Sequence, residues 1–312
     1  MAPTAPLDRR TIFALFLVYV VWGSTYLVMR FAVEGLPPLL MGGTRFVIAG
    51  VILVTVLRLK GEAFPTVKQW LWSAPVGALF FLFGNGLVAI AEQKISSGVA
   101  AVVCATMPLW AAAMGPLFKE RTSSREWIAM VLGMAGVIIL SAGSELRADL
   151  PSTLVLMAAP IAWALGSLLA RRLPLPRGLM SAAAQMVTGG VILLAVALVR
   201  GERFPADPSF KSLASVAYLI VFGSLVAFSA YSHLLRNTRP AIAMSYSYVN
   251  PAIAVLLGAA LGAEQLQGNT LVATALIVAA TVVMVRSRSG AAPAPAAVPT
   301  SIALPSGGKA AR

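Results

Sequence analysis

Long apolar runs alternate with short polar connections along most of the chain. A helix that crosses a bilayer needs about 20 mostly apolar residues, and ten runs meet that requirement. These runs are residues 12–31, 38–58, 69–91, 97–118, 126–143, 152–171, 178–199, 212–235, 240–262 and 269–285. The pattern predicts an all-α polytopic membrane protein with ten transmembrane helices.

One part of this pattern occurs twice in the chain. Residues 50–65 read GVILVTVLRLKGEAFP, and residues 190–205, which lie 140 positions later, read GVILLAVALVRGERFP. The first and sixth runs correspond as well, because Trp22 is followed 141 positions later by Trp163. We therefore interpret the first five runs and the last five as two copies of one unit.

The repeat divides the chain into four parts. Residues 1–11 form an N-terminal segment, residues 12–145 the first copy, residues 150–285 the second copy, and residues 286–312 a tail rich in Ala, Pro, Ser and Gly. A tail of that composition cannot bury a core, so we predict that it is disordered. Because each copy has an odd number of spans, the two copies are predicted to be inverted relative to each other.

Composition and charge agree with a membrane protein and predict its orientation. Charged residues make up 11% of the chain, against about 25% in a soluble domain. The net charge is +13, but the basic residues lie in short connections, which argues against nucleic-acid binding. With the N-terminus inside, seventeen Lys and Arg residues are cytoplasmic and six are outside. This asymmetry predicts cytoplasmic termini, although the connection 200–211 follows the rule least well.

Several of these motifs resemble those of a known transporter family. WGSTYLVMRFA begins at Trp22, PPLLMGGTRFVIAG begins at Pro37, and Pro108 and Pro251 stand in the middle of the fourth and ninth runs. Over about residues 12–285 the chain resembles the EamA family of the drug/metabolite transporter superfamily, and within it the YddG-type amino-acid exporters of bacterial inner membranes. The resemblance implies a central cavity lined by spans 1, 3, 4, 6, 8 and 9, and export of small metabolites.

Two tryptophans lie deep in spans that the repeat makes equivalent. Trp22 and Trp163 stand ten and eleven residues into their runs, which is about 15 Å at a helical rise of ~1.5 Å per residue. Tryptophan more often lies at a membrane interface, so lipid contact or helix packing is one interpretation. The other is a pair of aromatic walls on the cavity, suited to apolar side chains and to ammonium groups.

Further polar, aromatic and sulfur-containing side chains accompany these tryptophans in the cavity-lining spans. Unpaired polar groups are costly in hydrocarbon, so we predict that many of them face a wet cavity, while others bond neighbouring helices. Beyond the two tryptophans, the predicted substrate-cavity residues are Ser24, Tyr26, Asn85, Met107, Trp110, Ser167, Ser229, Ser245, Tyr246, Tyr248 and Asn250.

Pro108 and Pro251 occupy equivalent places in the fourth and ninth spans. Each removes one backbone hydrogen bond and frees the carbonyl four residues earlier, at Cys104 and at Ser247. A kink that only serves packing would explain both prolines. We predict instead that they are hinges at which these spans bend during gating, with the freed carbonyls available to the substrate.

Charged groups in the spans are few. Arg45 is the only basic residue deep in a span, and such a charge is a functional candidate by default. The resemblance does not place span 2 around the cavity, so we predict a structural charge that bonds helix-end carbonyls. No carboxylate lies at mid-depth, and the groups that could couple transport to protons are Glu92, His233 and Glu264, each with a structural alternative. We favour facilitated diffusion or coupling to a peripheral group.

These observations predict a secondary transporter of the bacterial inner membrane that exports amino acids, including aromatic and neutral ones, by alternating access between the repeats. The predicted partners are a small-molecule substrate and membrane lipid, and the oligomeric state is left open. Export of drugs, purines or other hydrophobic metabolites is the alternative. A membrane enzyme, a metal site, a cofactor or direct use of ATP is disfavoured, because the chain has one His, one Cys and no P-loop.

Overall fold

The computed structural model describes residues 8–118, 124–141, 149–237, 246–265 and 268–288, and within them the backbone is helical apart from short turns and connections. The predicted tail lies outside the described residues from position 289 onward, and the N-terminal segment lies outside them up to position 7. No strand occurs in the part of the chain that the structure describes, which confirms the all-α prediction there.

The helices follow the predicted apolar runs, with ends that differ by a few residues. They are α1 Arg9–Val33, α2 Pro38–Leu59, α3 Val67–Ala91, α4 Ser97–Phe118, α5 Ser124–Ser141, α6 Leu150–Ala170, α7 Leu179–Val199, α8 210–237, α9 Tyr246–Leu261 and α10 Gly268–Arg288. Seven of them, α1 to α4 and α6 to α8, are long and apolar enough to cross a membrane by length and composition. Within α9 and α10 the described apolar stretches are shorter, at Val249–Leu261 and Gly268–Ala280.

Local sequence explains where several helices begin. The Asp8 carboxylate accepts a hydrogen bond from the Thr11 backbone N–H at the start of α1, and this contact with Thr11 lowers the pKa of Asp8. Thr66 and Gln69 form a reciprocal capping box at the start of α3. Because the first backbone N–H groups of a helix have no partner within it, such side chains fix the starting residue.

The repeated GE-x-FP motif is a repeated helix stop. Gly61 and Gly201 adopt left-handed φ values of 84° and 74° after α2 and α7, a conformation that glycine adopts without steric cost. The next residues, Glu62 and Glu202, each donate a backbone N–H to a carbonyl five positions earlier. This is the Schellman arrangement, so the same motif ends both helices in the same way.

Three helices depart from regular α geometry. Residues Ala78–Gly86 of α3 and Leu219–Val226 of α8 form π-helical turns, about 140 positions apart. In α4 the regular helix ends at Cys104 and starts again at Met107, with Pro108 in its first turn. Because π turns and proline breaks in helices often mark functional positions, these irregularities indicate a functional region in the middle of the bundle.

Helix packing follows the repeat. Equivalent helices pack against each other, α2 against α7, α4 against α9, and α5 against α10. Helix α1 packs against α8 and α9, and correspondingly α6 packs against α3 and α4. Apolar side chains fill two main layers, one around Trp22 and Phe81 and one around Val88 and Val102.

Polar contacts gather several helix ends at one end of the bundle, here called the Glu264 end, which comprises residues 30–40, 92–98, 149–152, 199–212 and 261–265. The contacts are Arg30 with Glu264, Lys94 with Asp149, Lys211 with Glu34, and the Leu40 backbone N–H with Glu202. Helices α1 and α3 therefore end where α6 and α8 begin, while α2 and α4 begin where α7 and α9 end.

Candidate functional site

A cavity lies between the two main apolar layers, with about 760 Å³ of space unoccupied by protein atoms, its open mouth included. The lining residues come from α1, α2, α3, α4, α6, α8 and α9, and are Trp22, Thr25, Tyr26, Met29, Arg45, Gly84, Asn85, Val88, Ala101, Cys104, Ala105, Met107, Ala159, Pro160, Trp163, Phe228, Tyr246, Ser247 and Asn250.

Aromatic rings form the wall of this cavity that lies farther from the Glu264 end. The centroids of Trp22 and Trp163 are 6.3 Å apart with their planes nearly perpendicular. Trp22 also contacts the rings of Phe228 at 5.3 Å and Tyr246 at 4.8 Å. Edge-to-face packing of this kind is favourable for aromatic pairs. The geometry brings together tryptophans that the sequence places 141 positions apart.

The two tryptophans differ in their hydrogen bonding. The indole N–H of Trp22 donates to the carbonyl of Gly223, at 3.0 Å, in the π turn of α8. The indole nitrogen of Trp163 is buried, and its approach to the Tyr246 hydroxyl does not have the geometry of a regular hydrogen bond. Its ring lies against Gly84 in the π turn of α3, where a Cβ atom would come within 2.9 Å of it.

Arg45 supplies a positive charge to the cavity. It is 3% exposed, and its Nε–H donates to the hydroxyl of Ser224 at 2.9 Å. No ion pair of Arg45 with a carboxylate occurs in the part of the chain that the structure describes. The expected bonds to helix-end carbonyls are therefore replaced by a bond to a side-chain hydroxyl, and span 2 contributes to the lining after all. The π turn of α8 makes this possible because it carries Ser224.

Polar atoms without protein partners also occur in the lining. The side-chain oxygen of Asn250 is buried and makes no hydrogen bond within the described residues. The side-chain N–H₂ of Asn85 donates to the carbonyl of Phe80, at 3.2 Å, inside the π turn. Buried polar atoms are usually paired, so the free Asn250 oxygen and the free Trp163 N–H leave one acceptor and one donor for a ligand.

Pro108, at the break in α4, and Pro251, inside the continuous helix α9, both lie close to the cavity. The residues four positions before Pro108 and Pro251 are Cys104 and Ser247, and both line the cavity. Around Pro108 the backbone N–H of Leu109 bonds the carbonyl of Thr106 instead of continuing the α pattern. Whether the prolines act as hinges stays a prediction.

Several predicted cavity residues are placed elsewhere. The hydroxyl of Ser24 bonds that of Tyr218 at 2.8 Å, and the Ser167 hydroxyl donates to the Trp163 carbonyl. Trp110 packs against the apolar layer around Trp22 and does not line the cavity. Tyr26, Asn85, Met107, Tyr246 and Asn250 line the cavity together with the two tryptophans.

The remaining candidates lie at the opposite end of the bundle or outside the described residues. Ser229 and His233 line a surface groove with Arg10, away from the cavity. Ser245 lies outside the described residues, and so does the side chain of Tyr248.

Sequence reasoning missed cavity residues that a helical wheel would have found. Thr25 and Met29 lie three and seven residues after Trp22, and such positions share one face of a helix. Pro160 lies three residues before Trp163 and therefore faces the same way. The available signal was the position of each tryptophan, because it fixes which face of its helix points into the cavity.

The two carboxylates at the Glu264 end have opposite surroundings. Glu264 accepts four hydrogen bonds, from Arg30 at 2.8 Å, from the backbone N–H and hydroxyl of Ser97 at 2.8 and 2.7 Å, and from the Gly98 N–H at 3.2 Å. It therefore caps α4 and ties it to α1. Glu92 is 2% exposed, and neither of its oxygens has a hydrogen-bond partner among the described residues.

Two stretches of the chain, residues 9–142 and 150–286, match the model of the EamA-like transporter family. The relatives include the uncharacterized inner membrane transporter YedA of Escherichia coli K12, which is 42% identical over 87% of this chain and 89% of its own length. Protein PecM of Dickeya dadantii is 29% identical over 85% of this chain and 88% of its own.

A further relative is an S-adenosylmethionine/S-adenosylhomocysteine transporter of Chlamydia trachomatis serovar L2, which is 26% identical over 88% of each chain. One solved crystal structure is similar over 89% of this chain and 97% of its own, with a TM-score of 0.64 and 19% sequence identity. At that identity the likeness shows the fold alone.

Proposed function

Because the chain belongs to the EamA-like transporter family, we propose that it exports amino acids and related small metabolites across the inner membrane. Family membership and the apolar helices make it a multi-pass inner-membrane transporter of the drug/metabolite superfamily and not an enzyme. The fold does not fix the substrate, so the amino-acid proposal rests on the cavity.

The observation that carries the proposal is the combination around the cavity of a cation without a counter-ion, a free side-chain oxygen and aromatic rings. An amino acid has a carboxylate, an ammonium group and a side chain. The guanidinium of Arg45, which has no protein counter-ion among the described residues, suits the carboxylate. The free oxygen of Asn250 suits the ammonium group. The rings of Trp22 and Tyr246 suit an apolar or aromatic side chain.

Transport is proposed to proceed by alternating access between two inverted repeats of five spans each, ten in all. Support comes from the helix directions, since α1 ends at the Glu264 end where its equivalent α6 begins. Packing supports it as well, because α1 contacts α8 and α9 of the other repeat, and its equivalent α6 contacts α3 and α4. In transporters of this kind the substrate site lies between the repeats near the midplane, and helices of both repeats line the described cavity.

Orientation in the membrane is part of the same proposal. The excess of Lys and Arg in the connections on one side favours cytoplasmic termini. The Glu264 end is then the periplasmic end, and the groove beside His233 faces the cytoplasm.

A second candidate class is a metabolite that combines an amino-acid head with an aromatic base, as in S-adenosylmethionine. The relative from Chlamydia trachomatis transports that class. A sulfonium cation would be stabilised by the faces of Trp22 and Tyr246 through cation–π attraction. Purines and hydrophobic drugs lack the amino-acid head and would leave Arg45 without a counter-ion.

Purified protein in liposomes tests the proposal. A panel of labelled amino acids, S-adenosylmethionine, purines and a hydrophobic cation is loaded, and exchange is measured against empty liposomes. We expect exchange of amino acids, and of neutral aromatic ones above all. Exchange of purines or hydrophobic cations alone would favour the alternative, and no exchange of any labelled amino acid would refute the proposal.

A further inference from the structure

Glu92 is the carboxylate that the proposed transport mechanism leaves unexplained. It follows the last turn of α3, where its backbone N–H bonds the carbonyl of Val88, a cavity-lining residue. Glu92 therefore lies one helical turn beyond the cavity, toward the Glu264 end. Its side chain is buried, and both oxygens lack hydrogen-bond partners among the described residues. An ionised carboxylate in such a place would be strongly destabilising.

The tie next to Glu92 holds three helices together. Arg30 of α1 and Ser97 of α4 both donate to Glu264, which follows α9. Met29 and Ala101, which line the cavity, lie one residue and one turn from these contacts. Separation of α1, α4 and α9 at this end would break the tie and uncover the cavity.

Glu92 is electrostatically linked to this tie. The facing charged groups are Arg30 on α1, which attracts an ionised Glu92, and Glu264, which repels it. Tyr26 on α1 and Cys104 on α4 also interact electrostatically with Glu92. Ionised Glu92 would therefore compete with Glu264 for the single guanidinium of Arg30.

Other titratable groups near this end do not neutralise Glu92. Helix α6, which packs against the last turns of α3, has no titratable side chain between residues 150 and 170. Lys94, two residues along the chain, is largely exposed and is paired with Asp149 at 3.2 Å. Arg45 of α2 donates to Ser224, two helical turns farther into the bundle.

We propose that Glu92 is a proton-binding site that controls the Glu264 end as a gate. It carries a proton while the Arg30–Glu264 tie is closed, and it releases that proton to water when this end opens. In the open state the ionised carboxylate is hydrated and free to pair with Arg30, so the open state no longer requires the proton. The inference rests on the proposed transport function, in which one end must open at a time.

The sign of the pH dependence follows from this proton. Because the closed state binds one proton more than the open state, acid on the Glu264 side favours closure and alkali favours opening. For a single proton the ratio of closed to open molecules changes at most about tenfold per pH unit. With the Glu264 end in the periplasm, the outer pH would then set how often the cavity opens outward.

A distance measurement across the gate tests the proposal without a known substrate. Gln93 and Gln265 are exposed and lie at the ends of α3 and α9. Spin labels on cysteines at these two positions, in a Cys104→Ala background in nanodiscs, report their separation by pulsed EPR. We expect the short-distance population to grow as the pH falls. A separation that does not depend on pH would overturn the proposal.

Matched carboxylate variants assign the effect to Glu92. Glu92→Gln keeps the size of the side chain and cannot ionise, so the gate should stay closed at every pH. Glu34→Gln changes an exposed carboxylate at the same end, paired with Lys211, and should leave the pH dependence intact. Equal pH dependence in Glu92→Gln and in the parent would refute the role of Glu92.

A reaction of the unmodified protein covers the case in which Glu92→Gln does not fold. Dicyclohexylcarbodiimide is apolar, and a protonated carboxyl group adds to its central carbon while the proton passes to one of its nitrogens. The adduct rearranges to a stable N-acylurea, which mass spectrometry locates. We expect modification at Glu92 that increases as the pH falls. Absence of modification at Glu92 at any pH would count against a protonated carboxyl group there.

Flux measurements separate this inference from the proposed function. If the parent protein exchanges no amino acid while the labelled gate still responds to pH through Glu92, the substrate proposal fails and the proton site stands. If amino acids are exchanged and the gate ignores pH in both assays, the proton site fails and the substrate proposal stands.

Discussion

The middle of the bundle and its Glu264 end solve the problem of buried polar groups in different ways. In the middle, Trp163 and Asn250 keep unpaired atoms beside the cavity, and Arg45 has no carboxylate partner among the described residues. At the Glu264 end, Glu264 satisfies its oxygens with four protein donors, in contrast to its neighbour Glu92. Unpaired groups next to a cavity can be satisfied by a ligand, whereas paired groups between helices hold those helices in place.

This contrast makes the two regions separable by experiment. Substitutions in the middle should change which molecules are transported, and how well, while the folded protein stays stable. Substitutions in the tie should change stability and opening, while the relative preference among substrates stays the same.

The largest effect is expected for Glu264→Ala. The change removes the acceptor for Arg30 and for the first turn of α4, and breaking a buried pair costs about 3 kcal/mol or more. Since the Arg30 side chain is 32% exposed, we expect about 2–3 kcal/mol, measured as a lower midpoint of thermal unfolding in detergent. Glu34→Ala, which breaks the exposed pair with Lys211, should cost under about 1 kcal/mol. Equal losses of stability in Glu264→Ala and Glu34→Ala would contradict the structural role assigned to the Arg30–Glu264 tie.

Arg45→Gln should give the next largest effect. Without the guanidinium, a substrate carboxylate loses its charged partner in a buried site, which costs roughly 2 kcal/mol, or about thirtyfold in kcat/KM for amino acids. The corresponding amino-acid amides should be affected far less, and Arg45→Lys should retain part of the activity. The measurement is exchange in liposomes at equal protein density. A similar loss for acids and amides would indicate a structural role.

Phenylalanine in place of each tryptophan compares the two halves of the aromatic wall. Trp22→Phe leaves the Gly223 carbonyl without its donor and should lower the free energy of unfolding by about 1 kcal/mol. Trp163→Phe removes an N–H that makes no regular hydrogen bond within the described residues, so it should lower stability less than Trp22→Phe does. Its transport efficiency should fall by about fivefold if the N–H serves the substrate. The reverse assignment of the two effects would contradict this comparison.

The smallest effect is expected for Ser229→Ala. Ser229 lies in the groove beside His233 and away from the cavity, and surface substitutions usually change stability by less than about 0.5 kcal/mol. Both unfolding and amino-acid exchange should match the parent protein. A clear change in substrate preference would mean that the groove takes part in recognition.

The helical architecture was predictable because apolar runs of sufficient length have few alternatives to a spanning helix. The repeat was predictable because one sequence motif occurs twice. In the structure its glycines, Gly61 and Gly201, end their helices with the same bonds. The π turns of α3 and α8 were not predictable, since residues such as Gly84 and Gly223 also suit a regular helix in close contact with a neighbour. In the folded protein Trp163 lies against the π turn of α3, and Trp22 donates to the π turn of α8.

The site was predictable where helical phase was known. Residues two apart on a helix face different directions, which explains why Ser24 bonds Tyr218 while Trp22 lines the cavity. Pairing cannot be read from one sequence, because Glu92 and Glu264 are chemically alike and only the fold decides which of them is satisfied.

The single cysteine of the chain gives this transporter a reporter of its own. Cys104 lines the cavity just before the break in α4, and no other thiol competes with it in the sequence. A membrane-impermeant maleimide added to one side of sealed vesicles would alkylate Cys104 only while the cavity is open to that side. The fraction of molecules whose cavity is open to each side could therefore be measured on the unmodified protein, in its native membrane and before any substrate is known.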